Sequence, residues 1–167
     1  LDEALGGVPV PSGVAVVVEG GQGVIECDRT LIVQAVSNLL RNAIDAMESC
    51  EPGGRAHTLV LGARPERAGG ESCVVLSVTD SGPGIPPEVV DRMFNPFFTT
   101  RAAGTGLGLA IVHRIVDAHG GSVRVRNLAA EGEGRRGACV ELVLPARGEE
   151  AMTEVRVATR AAKEQAA

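Results

Sequence analysis

The chain has 167 residues, 44% of them hydrophobic, which is the length of about one domain with enough apolar material for a real core. With no Trp or Tyr and only 3 Phe, that core has to be aliphatic. A formal net charge of −5 and the lack of any basic block argue against nucleic acid as the main partner.

Residues 14–18 are β-branched and apolar between glycines and read as a strand; 24–27 reads as a second short one. Asp28 stands where a helix N-cap belongs. Across 30–47 the apolar residues Ile32, Val36, Leu39, Leu40, Ala43 and Met47 recur at helical spacing and predict one buried helix face, ended by Glu51-Pro52-Gly53-Gly54. Two strands are expected at 58–63 and 73–79, joined by a polar loop over 64–72. A turn-rich stretch over 80–87 precedes a short helix over 87–94 with Pro near its start. A small-residue loop over 99–106 leads into a second long helix over 107–118, with Leu107, Ile111, Ile115 and Ala118 on one face and Gly120-Gly121 as its stop. Strands over 122–127 and 138–144 close the pattern around a loop at 131–137. Beyond Pro145 the sequence dissolves into Ala and charge. The domain is therefore set at 1–145, and 146–167 is taken as a frayed helix or disordered tail.

Strand pairs separated by helices point to an α/β fold, a two-layer sandwich with helices on one face of a single sheet. Cys27, Cys50, Cys73 and Cys139 form no CxxC pair and no zinc spacing, and read as reduced thiols, mostly buried. No apolar run approaches the ~18 residues of a membrane span and no signal peptide is recognisable, so a cytoplasmic location is expected. A membrane anchor elsewhere in a longer protein is compatible with this.

Four segments carry candidate chemistry. On the first helix Asn38 and Asn42 lie four apart and Asp45 three further on, all on one side. An amide oxygen suits Mg²⁺ and amide hydrogens suit phosphate oxygens, though for this helix taken alone an ordinary polar face is the favoured reading. Asp80-Ser81-Gly82-Pro83-Gly84-Ile85 follows a strand: an acceptor-only carboxylate beside two glycines can take the exocyclic amine of adenine while the backbone approaches the ring. A Gly-Pro turn with a capping Asp is the plainer alternative. Phe94 to Arg101 gathers all three Phe next to Thr99, Thr100 and Arg101, as a hinge under a lid or a local aromatic cluster would. Gly104-Thr105-Gly106-Leu107-Gly108-Leu109 enters a helix start, where bare N–H groups make a phosphate site. It is neither a Walker motif nor a dinucleotide fingerprint.

Together and in this order, the four segments resemble the nucleotide-binding domain of bacterial sensor histidine kinases, within the wider GHKL ATPase superfamily. Residues 34–43 are similar to the N box, 80–84 to the first glycine box, 94–101 to the F box in its short-lid form, as in nitrogen-regulation and oxygen-sensing kinases, and 104–109 to the second glycine box. The resemblance implies a Bergerat α/β sandwich that binds ATP and Mg²⁺. It implies that Asn42 is the metal ligand, with Asn38 nearby and Asp45 on the nucleotide side. Asp80 would read the adenine amine, with Gly82, Gly84 and Ile85 beside the base. Thr99, Thr100, Arg101 and the backbone of Gly104, Thr105, Gly106, Leu107, Gly108 and Leu109 would close over the phosphates. Where many relatives place Ser or Thr after the glycine of the last strand, Ala138 and Cys139 follow Gly137, which puts one water-mediated adenine contact in doubt.

None of His57 (expected in a loop), His113 and His119 stands before Glu or Asp followed by Pro, the context of the phosphoacceptor in these kinases. The resemblance therefore implies an acceptor histidine on another domain, a response-regulator receiver downstream, a monomeric domain and a homodimeric full-length kinase. Hydrolases of the superfamily, such as DNA gyrase, MutL-type repair proteins and a heat-shock chaperone, carry a water-activating Glu one helical turn before the metal-binding Asn. Anti-sigma serine kinases do the same. Here that position is Asn38, and an amide is no base at pH 7. Histidine phosphorylation is the expectation; a non-enzymatic ATP-sensing module of the same fold is the alternative.

Overall fold

The computed structural model describes residues 1–20, 25–50, 56–100, 104–128 and 137–146. Five strands form one mixed sheet: β1 (Val14–Gly20), β2 (His57–Ala68), β3 (Glu71–Asp80), β4 (Ser122–Asn127) and β5 (Ala138–Pro145), in the spatial order β1-β2-β3-β5-β4. Only the β1–β2 pair is parallel, because the chain between them crosses over through a long helix; the other pairs are antiparallel. Four helices are described: α1 (Asp2–Gly6), α2 (Arg29–Glu48), α3 (Pro87–Val90) and α4 (Gly108–Ala118).

The core lies between one sheet face and the pair α2 and α4. Leu59, Leu61, Val78, Leu142 and Leu144 point into it from the sheet, and Ile32, Val36, Leu39, Leu40, Ala43 and Met47 from α2, as the helical spacing predicts. Ile115 meets that expectation on α4, but Ala118 and Leu107 are exposed, and the buried face is Ala110, Val112, Ile115 and Val116. Ile111 is partly buried against the core, and the stripe is turned because α4 packs on α2 as well as on β4 and β5. The opposite sheet face carries a small apolar cluster, Cys73, Val75 and Val143, among ion pairs. Arg64 meets Glu66 at 2.8 Å and Glu141 at 3.2 Å; Arg124 meets Glu66 at 2.6 Å; Arg126 meets Glu141 at 3.2 Å. The Arg124 hydrogen bond holds the Glu66 carboxyl below its usual range.

Asp28 caps α2 as expected, accepting from the Leu31 N–H at 3.1 Å. The same residue's backbone N–H donates to His119 Nε2 at 3.0 Å, and His119 Nδ1 lies 2.7 Å from the Ile115 carbonyl at the end of α4. One ring thus ties the start of α2 to the end of α4 as the Nδ1–H tautomer, so the two helices run antiparallel.

Several expectations fail for local reasons. Residues 25–27 are not a strand; they form the extended lead into the Asp28 cap, and Val24 lies outside the described residues. The loop expected over 64–72 is instead a continuous hairpin, paired from Arg64↔Val75 out to Ala68↔Glu71. Its turn is only Gly69-Gly70, both at positive φ (62° and 90°), which permits a two-residue connection. Alternating Arg and Glu there mark a solvent-facing strand edge, not a loop. The helix expected to reach Phe94 stops at Val90 and continues as turns. His57 opens β2 rather than lying in a loop. Unforeseen, α1 buries Ala4 against α2, where Ser37 Oγ donates to the Ala4 carbonyl at 3.4 Å. All four thiols are free; Cys73 and Cys139 are buried and Cys27 and Cys50 half-buried. The breaker at 51–54, the loop at 131–136 and the tail from 147 on lie outside the described residues.

Leu142 is wholly buried on the inner face of β5. Leu142→Ala is expected to destabilise the domain by about 2–5 kcal/mol in urea unfolding, whereas Val17→Ala, on an exposed edge position, should change it by less than about 0.5 kcal/mol.

Candidate functional site

Where the free ends of β3 and β5 meet the C-terminal half of α2 and the start of α4, the layers part around a cleft of about 780 Å³. This is the size range of small-molecule sites. The motif residues on its walls come from four places: Asn38, Asn42 and Asp45 on α2; Asp80 at the end of β3 with Gly84 and Ile85 after it; Thr99 and Thr100; and Gly104, Thr105, Gly106, Gly108 and Leu109 at the α4 start. Segments far apart in sequence are thus brought to one cavity. Gly82 and Leu107 are not on the wall. Gly82 is packed behind the carboxylate, and Leu107, the α4 N-cap, is 36% exposed. Arg101 lies outside the described residues.

Asp80 ends β3 on the inner face and is 8% exposed. Its Oδ1 accepts from the Gly82 N–H at 2.8 Å and the Ala138 N–H at 3.4 Å. Both bonds fall on Oδ1, which leaves Oδ2 as the acceptor at the cleft. Burial pushes the carboxyl above its ordinary range, and the two N–H groups only partly offset this. A side chain on Gly82 would stand 2.8 Å from Oδ1 and 3.5 Å from Ala46, so glycine is required for the loop to fold over the carboxylate. Gly137 is tighter still, its backbone packed so close to the Asp80 carbonyl that no Cβ fits.

At the other end of the cleft, the α4 N-cap has no side-chain cap, and α4 carries no acidic residue in its first turn. Its first N–H groups and the positive end of its dipole are left for an anion. Asn42 reaches this end: its buried amide nitrogen lies 3.9 Å from where a Cβ on Gly108 would be. The aromatic segment is strapped to the glycine loop, with the Phe97 N–H donating to the Gly106 carbonyl at 2.9 Å. Gly106 has φ +66°, and a Cβ there would stand 2.5 Å from the Phe97 carbonyl carbon. The three Phe do not form one cluster. Phe98 lines the cleft under Arg92, 4.6 Å away; Phe94 packs on His113 at 5.6 Å; Phe97 is 77% exposed.

Residues missed in the sequence include Met93 and Val140, apolar wall that no motif marks, and Asn127 at the end of β4. Only the pairing of β4 with β5 brings Asn127 to the glycine loop, so no local signal announced it.

Residues 27–148 match the family described as histidine kinase-, DNA gyrase B- and HSP90-like ATPases. The chain belongs to this family. Among curated proteins, the sensor histidine kinase ZraS of Salmonella typhi is 40% identical over 108 residues, 65% of this chain and 21% of that protein. The nitrogen regulation protein NtrY of Azorhizobium caulinodans is 41% identical over 124 residues, 74% of this chain and 15% of that protein. The chain thus spans about a fifth of the length of the curated relatives it matches. Among solved structures, a mycobacterial sensor histidine kinase, MprB, superposes with a TM-score of 0.68 at 30% identity, covering 81% of this chain and 84% of that one. The catalytic domain of histidine kinase ThkA gives 0.64 at 32% identity, covering 80% and 81%. Within the family, then, the domain is of the sensor-histidine-kinase catalytic kind, and its mixed five-stranded sheet with helices on one face is the fold expected of it.

Because Asp80 is held neutral more readily in the folded chain than in the unfolded one, its ionisation opposes folding. Its contribution to stability is fully present below the unfolded value of 3.8 and is lost as pH rises through the higher folded value. Asp80→Asn keeps an acceptor for Gly82 and Ala138 but removes the charge. At pH 7 it should melt no lower than the parent by calorimetry while losing nucleotide binding; unchanged nucleotide affinity would remove Asp80 from the site.

Gly106→Ala is expected to weaken nucleotide binding about tenfold or more, since a side chain at positive φ must push the Phe97 backbone aside. Titration calorimetry against the parent chain reads this directly.

Proposed function

We propose that the domain binds Mg·ATP in this cleft and donates the γ-phosphoryl group to a histidine on a separate phosphoacceptor domain, of the same or a partner subunit, in two-component signalling. A response-regulator receiver then takes the phosphoryl group. The observation that carries the reading is the arrangement of one cleft: a lone buried carboxylate at one end, and an amide-bearing helix facing an uncapped helix start at the other. Asp80 Oδ2 accepts the adenine amine. The α4 N–H groups and Thr99 and Thr100 hold phosphate oxygens, and Arg101 of the same lid segment neutralises charge.

The donor set fits magnesium of the substrate-carried kind. Among the described residues no three His, Cys, Asp or Glu gather as a metal cage, and the Asn42 amide lies beside the α4 start, where its oxygen would be a hard ligand. Mg²⁺ is ordinarily held by one or two protein oxygens together with substrate phosphates, and when bound it neutralises charge on them. Asn42 would be its ligand here, with Asn38 and Asp45 on the same helix face.

Transfer rather than hydrolysis is supported by what surrounds the phosphate end. Asn38 lies one turn before Asn42 and cannot take a proton from water. The carboxylates of the wall are Asp45 and Asp80, and Asp80 is held by the Gly82 and Ala138 N–H groups. None of the three histidines lines the cleft: His119 joins two helices, His113 pairs with Asp117 at 3.1 Å, and His57 lies 3.4 Å from Ser81 Oγ. The acceptor imidazole and its acid–base partner would come from the phosphoacceptor domain, and this domain contributes positioning and charge neutralisation. No helix among the described residues is long and apolar enough to cross a membrane.

Isolated, the chain is expected to bind Mg·ATP and hydrolyse it negligibly; supplied with a phosphoacceptor domain, it should form acid-labile phosphohistidine. Vigorous ATPase activity of the isolated chain would contradict the proposal. Asn42→Asp sets a carboxylate against the phosphates and should lower phosphotransfer about 100-fold or more; full transfer by that variant would end the metal assignment.

A further inference from the structure

Asn127 makes a pair of short bonds to one residue of the loop that follows Asp80. The Ile85 N–H donates to Asn127 Oδ1 at 2.8 Å, and Asn127 Nδ2 donates to the Ile85 carbonyl at 2.7 Å. The amide can face only one way, because a flip would set oxygen against oxygen and N–H against N–H. A side chain thereby copies one rung of a sheet ladder and binds a loop that has no strand partner of its own. The contact is close: a Cβ on Gly84, at φ +83°, would stand 3.0 Å from Asn127 Oδ1 and 3.4 Å from the Gly137 carbonyl.

Asn127 also lines the cleft, beside Gly84 and Ile85. Its strand pairs Asn127 with Ala138, whose N–H holds Asp80. The end of the β4–β5 pair therefore grips both the carboxylate and the loop beside it, one through backbone and one through a side chain.

We infer that Asn127 is a positioning residue for base recognition: it fixes the 83–86 backbone at the distance from Asp80 that an adenine ring fills, and so sets the preference for ATP over a 6-oxo purine nucleotide. The inference rests on the proposed ATP site. Asp80 supplies the acceptor, but an acceptor discriminates only if the ring cannot shift to avoid it, and the loop clamped by Asn127 is the opposing wall. Loss of the clamp lets that wall move, so affinity for ATP falls while affinity for GTP, which presents a 6-oxo acceptor where adenine presents its amine to Asp80, does not fall with it.

The test measures ATP and GTP binding by calorimetry, with magnesium, for the parent chain, Asn127→Ala and Asn127→Asp. Losing both bonds in Asn127→Ala is expected to cost ATP affinity about tenfold and to narrow the ATP:GTP ratio by nearly as much. Asn127→Asp retains the shape but turns an ionised oxygen toward the Ile85 carbonyl. Its carboxyl donates the missing hydrogen only when protonated, so the ratio of its ATP Kd to that of the parent, both measured at each pH, should fall toward one as pH drops from 7 to about 4, where an exposed aspartate takes up its proton. A purely structural role would lower the melting temperature without moving the ATP:GTP ratio or the pH profile. An ATP:GTP ratio unchanged in both folded variants, or a pH-independent Asn127→Asp, overturns the inference and leaves the ATP site standing. A parent chain that binds no ATP overturns both.

Discussion

The Asp80 carboxylate, taken out of water at the end of an inner strand, is the constraint around which the rest of the site is arranged. Burial disfavours its charge, and the Gly82 and Ala138 N–H groups answer only part of that cost. Each of those groups has a structural requirement. Gly82 must lack a side chain to fold back over the oxygen, and Ala138 reaches Asp80 because Gly137 lets β5 press against the end of β3. Gly82 and Gly137 are thus consequences of one buried acceptor. A ligand that donates a hydrogen to Oδ2 relieves what the fold leaves unanswered, which is how a costly carboxylate becomes a selective one.

Much of this was legible in the chain. The apolar spacing of α2 marks six of its eight buried residues, all but Ala35 and Ile44, and Asp28 marks its start. The four motif segments proved to be walls of one cleft, although they lie on separate elements. What escaped notice was non-local or ambiguous in composition. Nothing near Asn127 distinguishes it from any polar residue at a strand end; its role exists only because β4 pairs with β5. The β2–β3 hairpin was hidden because its outer half faces water on one side and an ion lattice on the other, so Arg and Glu stand where apolar alternation would have signalled a strand. On α4, helical spacing permits two stripes, and packing against α2 as well as β4 and β5 selects the one with Val112 and Val116.

The two chemical ends of the cleft are supported differently. The Asp80 end is built on strands and on backbone bonds, and is rigid by construction. The other end joins a helix face to a glycine loop strapped by the Phe97–Gly106 bond. Recognition of a ring and grip on a chain of anionic groups thereby fall to parts of the fold with unlike stiffness, one fixed and one able to adjust.

His119 carries a mechanical consequence. From Asp28 to Asn42 is about 20 Å along α2, and from His119 back to Gly108 about 16 Å along α4, at 1.5 Å of rise per residue. The two rods are tied at their remote ends by one imidazole, share a core along their length and meet again where the Asn42 amide lies 3.9 Å from where a Gly108 Cβ would be. The alignment of the phosphate end therefore depends on a bond at the far end of both helices, made by a residue outside the cleft wall.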